Sequence, residues 1–305
     1  MMPITPKLFV TGATGQLGGL VIDTLLEMVP ASTIVAGMRD PARDEGTANA
    51  LREKGVEVRA ADYSRPETLA SALAGVDRLL LVSSSENGKR KAQHRNVINA
   101  AKDAGVGLIA YTSILHADTS PLFLAEEHRD TEAALAEAGV PFVLLRNGWY
   151  TEVYTWRLPL ALKHGVLMGA SGDGRISSTA RADYARAAAT VLAGGDHAGR
   201  IYELAGDASF TLAELVALVA EASGKPFAYQ NMTPEEFRSA ALQAGAPEMV
   251  ARILSDTDSG VAKGALFDDG GELARLIGRP TTPFQTTITV FVRNQQATGD
   301  ASSHA

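Results

Sequence analysis

The stretch FVTGATGQLGGL, residues 9–20, has glycines at positions 12, 15 and 18 directly after a short apolar run. The first glycine lets the chain turn out of a strand, the second lets backbone amides approach a ligand, and the third lets the next helix pack against the strand. The free amides and the dipole of that helix favour a negatively charged group such as a pyrophosphate. The stretch therefore predicts a dinucleotide-binding loop that consists of Gly12, Thr14, Gly15, Gln16, Leu17 and Gly18.

The first half of the chain alternates short aliphatic runs with longer amphipathic stretches. The aliphatic runs are nearly continuous, as in strands that are buried on both faces, and they predict strands at 8–11, 33–38, 56–60, 78–82, 107–112 and 142–145. Helical periodicity separates them at 16–29, 66–73, 93–104 and 126–138. This repetition predicts an α/β fold, a doubly wound parallel sheet of the Rossmann type.

The pattern changes after Tyr150, where helical stretches dominate. Helices are predicted at 183–192, 212–222 and 234–244, and isolated strands at 200–204 and 227–230. We expect a dinucleotide-binding domain at 1–150 and a smaller α+β lobe for the substrate at 151–295, some of whose segments return to the first sheet. The last residues, QATGDASSHA at 296–305, are expected to be a disordered tail.

Composition excludes several classes of function. A net charge of -7 without basic blocks argues against a nucleic-acid or membrane-surface partner. The chain has no cysteine and no HExxH motif, so no metal site is expected. No apolar run is long enough for a membrane span, and the first residues lack the pattern of a signal peptide. A cytoplasmic location is therefore expected.

The residue that follows the second predicted strand indicates which dinucleotide is bound. Sites for NAD have an acidic residue there, about 20 residues past the loop, on the 2′-hydroxyl of the ribose. This chain reads VAGMRDP, with Arg39 at that position and Asp40 next to it. A guanidinium pairs with a 2′-phosphate, so Arg39 favours NADPH, whereas a strand that ended one residue later would favour NADH.

Two further loops are predicted to contact the cofactor at the carboxyl edge of the sheet. ADYSRP follows the third strand, where Tyr63 would flank the adenine, or would belong to a plain turn. LLLVSSSENG follows the fourth strand, and Ser83, Ser84 and Ser85 offer hydroxyls and amides to the nicotinamide half. The alternative is that these serines only cap a polar loop.

The acid–base pair of ordinary short-chain dehydrogenases, Tyr-x-x-x-Lys, is absent. None of the seven tyrosines has a lysine four residues later, and PLFLAEEHRDTE has Leu124 and His128 at the expected positions. Reduction of a simple ketone by general-acid catalysis is therefore disfavoured. Acceptors that take a hydride without a dedicated acid remain, namely quinones and triarylmethane cations.

An aromatic segment, LLRNGWYTEVYTW, leaves the sixth predicted strand, and both tryptophans of the chain lie in it. Its aromatic rings are suited to stacking on a flat acceptor, although some of them are expected to be core residues. Asn147 is predicted to hydrogen-bond the nicotinamide carboxamide or a substrate oxygen, and His116 and His128 are candidate donors to a reduced oxygen. The predicted catalytic residues are Asn147, Tyr150 and His116, and the predicted nicotinamide contacts are Asn147, Gly148, Trp149, Tyr150 and Thr151.

Several segments together resemble the NmrA-like, atypical short-chain dehydrogenase/reductase family, and within it the bacterial NAD(P)H:quinone oxidoreductases of type 2. These segments are TGATGQLG, SSSE, AQHRNVINAAKDAGV, IAYTSILHADTSPL and LLRNGWYTE, followed by RADYA, YELAG and KGALFDDGGELARLIGRPTT. The resemblance implies NADPH-dependent reduction of quinones by direct hydride transfer. It also implies that Gly12–Gly18 hold the pyrophosphate, Arg39 the 2′-phosphate, and Asn147 to Thr151 the nicotinamide side.

The resemblance also implies two alternative functions. In one segment this chain departs from the family's pattern. Some members reduce triphenylmethane dyes, and others are non-catalytic sensors that bind the dinucleotide as a redox signal, a difference that a fold alone does not decide. The departure is the segment between Arg39 and Val56, which is longer than the resemblance leads one to expect. No element is predicted there.

Overall fold

The computed structural model describes residues 6–302 and divides into two compact units. The first unit extends to Ala117 and also contains Glu126–Asn147 and Ala182–Tyr202. The second unit contains Asp118–Ala125, Gly148–Arg181 and the chain from Glu203 onward. The chain therefore passes more than once between the two units.

A seven-stranded sheet with helices along it gives the predicted Rossmann-type α/β class, which is confirmed. Its strand order is β3-β2-β1-β4-β5-β6-β8, and the pairs from β3 through β6 are parallel. The strands are β1 Leu8–Val10, β2 Ile34–Met38, β3 Glu57–Ala60, β4 Arg78–Leu81, β5 Leu108–Ile114, β6 Phe142–Asn147 and β8 Ile201–Leu204. The order reverses between β1 and β4, and the carboxyl end of such a reversal is where ligands bind in doubly wound sheets.

Apolar side chains bury the central strands, as their continuous aliphatic runs predict. Every residue of β1, β2 and β5 is buried, and Phe9 and Tyr111 are among the largest fully buried side chains. Gly37 makes room for Phe9, because a Cβ at position 37 would overlap the Phe9 ring. The edge strand β3 is the exception, since none of its residues is buried.

Helices connect the strands of the first unit. They are α1 Gln16–Leu26, α2 Glu45–Glu53, α3 Pro66–Ala72, α4 Arg90–Asp103, α5 Phe123–Ala138, whose first turn belongs to the second unit, and α7 Arg181–Ala193, whose first residue belongs to the second unit. Helix α2 accounts for the long segment after Arg39, for which no element was predicted. Only Ala48 and Leu51 are buried in it, so the apolar pattern that marks a helix in a sequence is nearly absent.

The second unit is built mainly of helices around a two-stranded parallel sheet. Its strands are β7 Val166–Gly169 and β9 Ala228–Asn231. Its helices are α6 Thr151–His164, α8 Leu212–Ser223, α9 Pro234–Gln243, α10 Glu248–Val261, α11 Glu272–Ile277 and α12 Phe284–Ser302. Capping boxes begin α8 at Thr211 and α9 at Thr233.

The end of the chain differs from the tail expected at 296–305. Helix α12 continues to Ser302, and residues 303–305 lie outside the described residues. Across residues 6–302, no helix combines the length and apolar character that a membrane crossing requires.

A buried ion pair joins three elements of the second unit. The Arg157 guanidinium on α6 contacts the Asp258 carboxylate on α10 at 3.1 Å, and both side chains are largely buried. Asp258 also accepts the backbone N–H of Ala170 at 2.9 Å, and Arg157 donates to the carbonyl oxygen of Met168 at 2.7 Å. Strand β7 and the start of the following loop are thereby held between α6 and α10.

We predict that Asp258→Ala lowers the free energy of unfolding by about 3–5 kcal/mol, because it leaves the Arg157 charge buried without its partner. Urea denaturation measures this change. Asp23→Ala is the matched control, since the Asp23–Lys54 pair is exposed and removal of such a pair costs about 1 kcal/mol or less. Equal losses in the two variants would contradict the structural role of Asp258.

Candidate active site

The glycine loop leaves β1 in a conformation that depends on its glycines. Gly12 has a positive φ of 61°, and its carbonyl oxygen accepts the N–H of Gly15 at 2.9 Å. A Cβ at Gly18 would overlap the carbonyl oxygen of Gly12, so α1 packs against the end of β1 only because position 18 is glycine. The loop therefore has the sharp turn and the close helix approach of a dinucleotide-binding loop.

The N-terminus of α1 is open to an anion. Its N-cap is Gly15, no side chain caps it, and no acidic residue lies in its first turn. Thr14, Gly15 and Gln16 are exposed, whereas Leu17 is buried, so Leu17 offers a ligand its backbone amide rather than its side chain. The first amides of an uncapped helix have no partner within the helix and suit a pyrophosphate.

Strand β2 ends at Met38, so Arg39 is the first residue past it. The Arg39 guanidinium, 65% exposed, contacts the Glu86 carboxylate at 2.6 Å, and Lys89 contacts the same carboxylate at 3.3 Å. Asp40 turns back on its own loop and accepts the N–H groups of Ala42 and Arg43. The exposed group next to the end of β2 is therefore cationic, as NADPH requires.

The predicted adenine contact, Tyr63, uses its hydroxyl inside the first unit. The hydroxyl lies 2.5 Å from Thr11 Oγ1 and 2.8 Å from the Val82 carbonyl oxygen. Burial raises the pKa of Tyr63 above its ordinary value, so the group remains a donor at neutral pH. Tyr63 thereby joins the carboxyl ends of β1 and β4. Its predicted contact with the adenine stays a prediction.

The serine loop after β4 is held from several sides. Ser83 donates its N–H to Thr112 Oγ1 at 2.8 Å. Ser84 donates its hydroxyl to Gln93 Oε1 at 2.6 Å, and its carbonyl oxygen accepts from Arg90 Nε at 2.7 Å. Ser85 is exposed. The hydrogen-bonding groups of Ser84 thus serve the loop itself, while Ser85 presents its side chain outward.

His94 on α4 also holds the serine loop, and its hydrogen bonds define one tautomer of the ring. Its Nε2 accepts the N–H of Ser84 at 3.0 Å, so Nε2 carries no proton. Its Nδ1 lies 2.9 Å from Thr131 Oγ1, whose hydroxyl proton goes to the Glu127 carbonyl oxygen, so Nδ1 is the donor. Burial and the nearby Arg90 charge lower the pKa of His94 to about 3, and the ring stays neutral at physiological pH.

Asn147, at the end of β6, has an unsatisfied buried oxygen. The residue is only 6% exposed, and its Oδ1 has no hydrogen-bond partner within the described part of the chain. The adjacent Arg146 is paired with Glu132 through contacts of 2.7 and 3.0 Å, and Ser113 donates to the same carboxylate. A buried acceptor without a partner costs free energy, so the Asn147 oxygen fits a donor brought by a ligand, such as a carboxamide N–H.

The two histidines considered as donors lie in different surroundings. His116 follows β5 and is the only non-glycine residue of residues 6–302 with a positive φ, 50°. Such a backbone conformation is typical of functional positions. His128 is buried in α5, with Nδ1 2.7 Å from the Tyr111 hydroxyl, and burial lowers its pKa well below the ordinary value. His128 therefore stabilises the core of the first unit.

The aromatic segment after Asn147 lies in the second unit. Gly148 donates its N–H to the Leu204 carbonyl oxygen at 2.7 Å, and Thr151 is fully buried with its hydroxyl 2.9 Å from Ser178 Oγ. Tyr154 is a core residue that packs edge-on against Phe210. Trp149 and Tyr150 are half-buried, and Trp156 is 64% exposed. Three of the four aromatic residues thus remain accessible.

Arg181 contacts the aromatic segment, and the sequence did not predict this contact. Its guanidinium carbon lies 4.6 Å from the centroid of the Tyr150 ring and 6.0 Å from that of Trp156. Its backbone N–H is accepted by the Glu152 carboxylate at 3.0 Å. The motif RADYA was noted only as part of the resemblance. No spacing rule links Arg181 to a segment thirty residues earlier, so only the fold reveals the contact.

Two surface cavities of the first unit are separate from these residues. One, of about 380 Å³, lies where β4 and β5 begin and is lined by Asp77, Arg78 and His197 among others. The other, of about 410 Å³, lies along β3 and α3. Neither is lined by a predicted site residue. Among the described side chains, residues 6–297, no group of three or more His, Asp or Glu residues is arranged to hold a metal ion.

Comparison with known proteins gives consistent matches. Residues 12–194 match the sequence model of an NAD(P)H-binding family. The chain is 54% identical to quinone oxidoreductase 2 of Escherichia coli over 279 residues, 92% of this chain and 96% of the relative. It is 30% identical to an NmrA-like family domain-containing oxidoreductase of Aspergillus flavus, with 96% and 97% coverage.

A solved structure matches equally well. The crystal structure of an NADPH-dependent quinone oxidoreductase from Escherichia coli, complexed with NADPH, superposes with a TM-score of 0.90 at 53% identity. The match covers 92% of this chain and 98% of that one. Together with the glycine loop and the parallel sheet, these matches identify the chain as a member of the NmrA-like family of NAD(P)H-binding oxidoreductases.

Proposed function

We propose that the protein is an NADPH-dependent quinone reductase. One observation carries the proposal, the order of groups along the carboxyl edge of the sheet. Arg39 follows β2, the open helix N-terminus follows β1, the serine loop follows β4, and the unsatisfied Asn147 oxygen ends β6. This order suits the 2′-phosphate, the pyrophosphate and the nicotinamide of one extended NADPH molecule.

The relatives support the substrate class. The Escherichia coli relative is named a quinone oxidoreductase, and the match spans nearly the full length of both chains. A related solved structure contains NADPH. We therefore assign this chain NADPH as its cofactor and a quinone or another small aromatic acceptor as its substrate.

The residues that would hold NADPH fit it chemically. The amides of Gln16 and Leu17 would bind the pyrophosphate, Arg39 the 2′-phosphate, and Asn147 Oδ1 the carboxamide N–H. The bound cofactor supplies a hydride. The chain's own contribution is to orient the two reactants and to exclude water. Because both reactants are already bound, the entropy cost of bringing them together is met before the chemical step.

The catalytic requirement on the chain is small because a quinone delocalises the charge that it gains. No Tyr-x-x-x-Lys pair is needed for such an acceptor. Tyr150 and Trp149 are proposed to stack on the acceptor ring, and His116 to donate to its oxygen. We propose a cytoplasmic location, since the reaction consumes NADPH.

The alternative is a non-catalytic redox sensor. Such a sensor would bind the dinucleotide at the same site but would have no electron acceptor. The accessible rings of Trp149, Tyr150 and Trp156 favour an enzyme, because a sensor has no need of a surface for a flat substrate. Reduction of a triphenylmethane dye would keep the chemistry and change only the acceptor.

The first test is turnover. We expect the loss of NADPH absorbance in the presence of a panel of benzoquinones and naphthoquinones, with a triphenylmethane dye assayed in parallel. NADPH binding is measured separately by calorimetry. Tight NADPH binding with no turnover of any acceptor would contradict the enzyme and favour the sensor, and turnover of the dye alone would change the substrate class.

Arg39→Ala tests the choice of cofactor. We expect NADPH binding to weaken by about 1.5–3 kcal/mol, since a charge-assisted hydrogen bond is lost, and NADH binding to stay nearly unchanged. Calorimetric titration with each dinucleotide measures the difference. An equal loss for NADPH and NADH would mean that Arg39 does not contact the 2′-phosphate.

Glu86→Gln should have the opposite effect. The Glu86 carboxylate contacts both Arg39 and Lys89 and would repel a 2′-phosphate on Arg39. Two unit charges about 4 Å apart in water interact by about 1 kcal/mol, so we expect NADPH to bind about fivefold more tightly and NADH to be unaffected.

The matched control for this variant is Glu137→Gln, which removes one carboxylate from the exposed pair with Arg95 in the same unit. It should leave the affinity for both dinucleotides unchanged. Weaker NADPH binding by Glu86→Gln would show instead that Glu86 helps to hold Arg39 in its binding position.

A further inference from the structure

Arg181 is a buried cation in an aromatic environment. The residue is 7% exposed and is the first residue of α7. Its guanidinium faces the Tyr150 ring at 4.6 Å and the Trp156 ring at 6.0 Å. All three residues belong to the second unit.

No carboxylate pairs directly with this charge among the described side chains. Within residues 6–297 the Arg181 guanidinium forms no ion pair and no hydrogen bond, and its contacts are the two rings. The neighbouring Glu152 carboxylate is used by the backbone N–H of Arg181. Two other buried arginines of the chain are paired, Arg146 with Glu132 and Arg157 with Asp258.

The position of Arg181 increases the cost of its charge. Burial of an unpaired charge is unfavourable, and the N-terminus of a helix has positive potential, which disfavours a cation there. Cation–π contacts offset part of this cost. A guanidinium in such a place is a suitable binding group for an anion, because its five donors are not used by the described side chains.

We propose that Arg181 binds the oxygen of the aromatic acceptor that becomes negatively charged on reduction, and is thereby a further catalytic residue. The inference rests on the proposed function, in which the acceptor ring lies against the Tyr150 side chain. An aromatic ring that carries an oxyanion satisfies both features of the site, since the ring stacks on the aromatic residues and the oxygen accepts from the guanidinium.

The chemistry is balanced by one hydride and one proton. The hydride brings two electrons and one proton to the quinone, which becomes the hydroquinone monoanion, and the proposed donor His116 then supplies the second proton and regains one from water. Arg181 stabilises the developing charge by its position, as oxyanion-binding donors do.

Kinetics form the first part of the test. We expect Arg181→Met to lower kcat/KM for a quinone about 100-fold, the usual effect of removing such a donor, with the Kd for NADPH unchanged. Arg181→Lys keeps the charge and should recover part of the loss. The matched control is Arg252→Met, which removes another arginine that lies over an aromatic ring, Phe123, in the same unit.

A spectroscopic probe tests the site without turnover. 4-Nitrophenol has a phenolate with its own absorbance, so the pKa of the bound probe is measured by titration. We expect the cofactor-free protein to bind it and to lower its pKa, and Arg181→Met to abolish the shift. A wild-type protein that does not bind the probe, or a shift that persists in Arg181→Met, would overturn the proposal.

The experiments distinguish failure of the proposed function from failure of the role of Arg181. Absence of quinone turnover in the wild type contradicts the proposed function, and with it the catalytic role. Normal turnover that Arg181→Met leaves unchanged contradicts only the role of Arg181. Loss of NADPH affinity in Arg181→Met would mean that the guanidinium binds the cofactor rather than the acceptor, which also overturns the proposal.

Discussion

The close approach of helix α1 to strand β1 determines how the first unit can bind a ligand. Gly18 lies so near the carbonyl oxygen of Gly12 that no side chain fits between them. This contact aims the uncapped N-terminus of α1 at the sheet edge where the strand order reverses. The strands on either side of β1 then carry the charged and polar groups of the same edge, so the position of one glycine sets the frame for the whole cofactor site.

Buried polar contacts keep that frame rigid. His94 accepts the Ser84 amide, and Tyr63 connects Thr11 to the Val82 carbonyl. Both groups hold their protonation state at neutral pH, because burial raises the pKa of Tyr63 and, with the nearby Arg90 charge, lowers that of His94. Preorganised groups of this kind need no rearrangement when a ligand binds. The Asn147 oxygen and the Arg181 guanidinium, which have no hydrogen-bond partner among the described side chains, are the polar groups that we propose for ligands.

Much of the fold could be predicted from the sequence, and the reasons are local. The central strands of the sheet are mostly aliphatic runs, and Gly12, Gly15 and Gly18 mark the loop because an apolar strand precedes them and an amphipathic helix follows. Helix α2 was missed because it buries only Ala48 and Leu51. The partners of the site residues were missed for a different reason. Glu86 meets Arg39, and Arg181 meets Tyr150, across many residues of sequence, and only the packed chain brings such pairs together.

The most direct measurement is a crystal structure of this chain with NADPH bound. We predict pyrophosphate oxygens on the amides of Gln16 and Leu17, and the carboxamide N–H on Asn147 Oδ1. A pyrophosphate bound away from the N-terminus of α1, or an Asn147 oxygen that still lacks a partner in the complex, would contradict it.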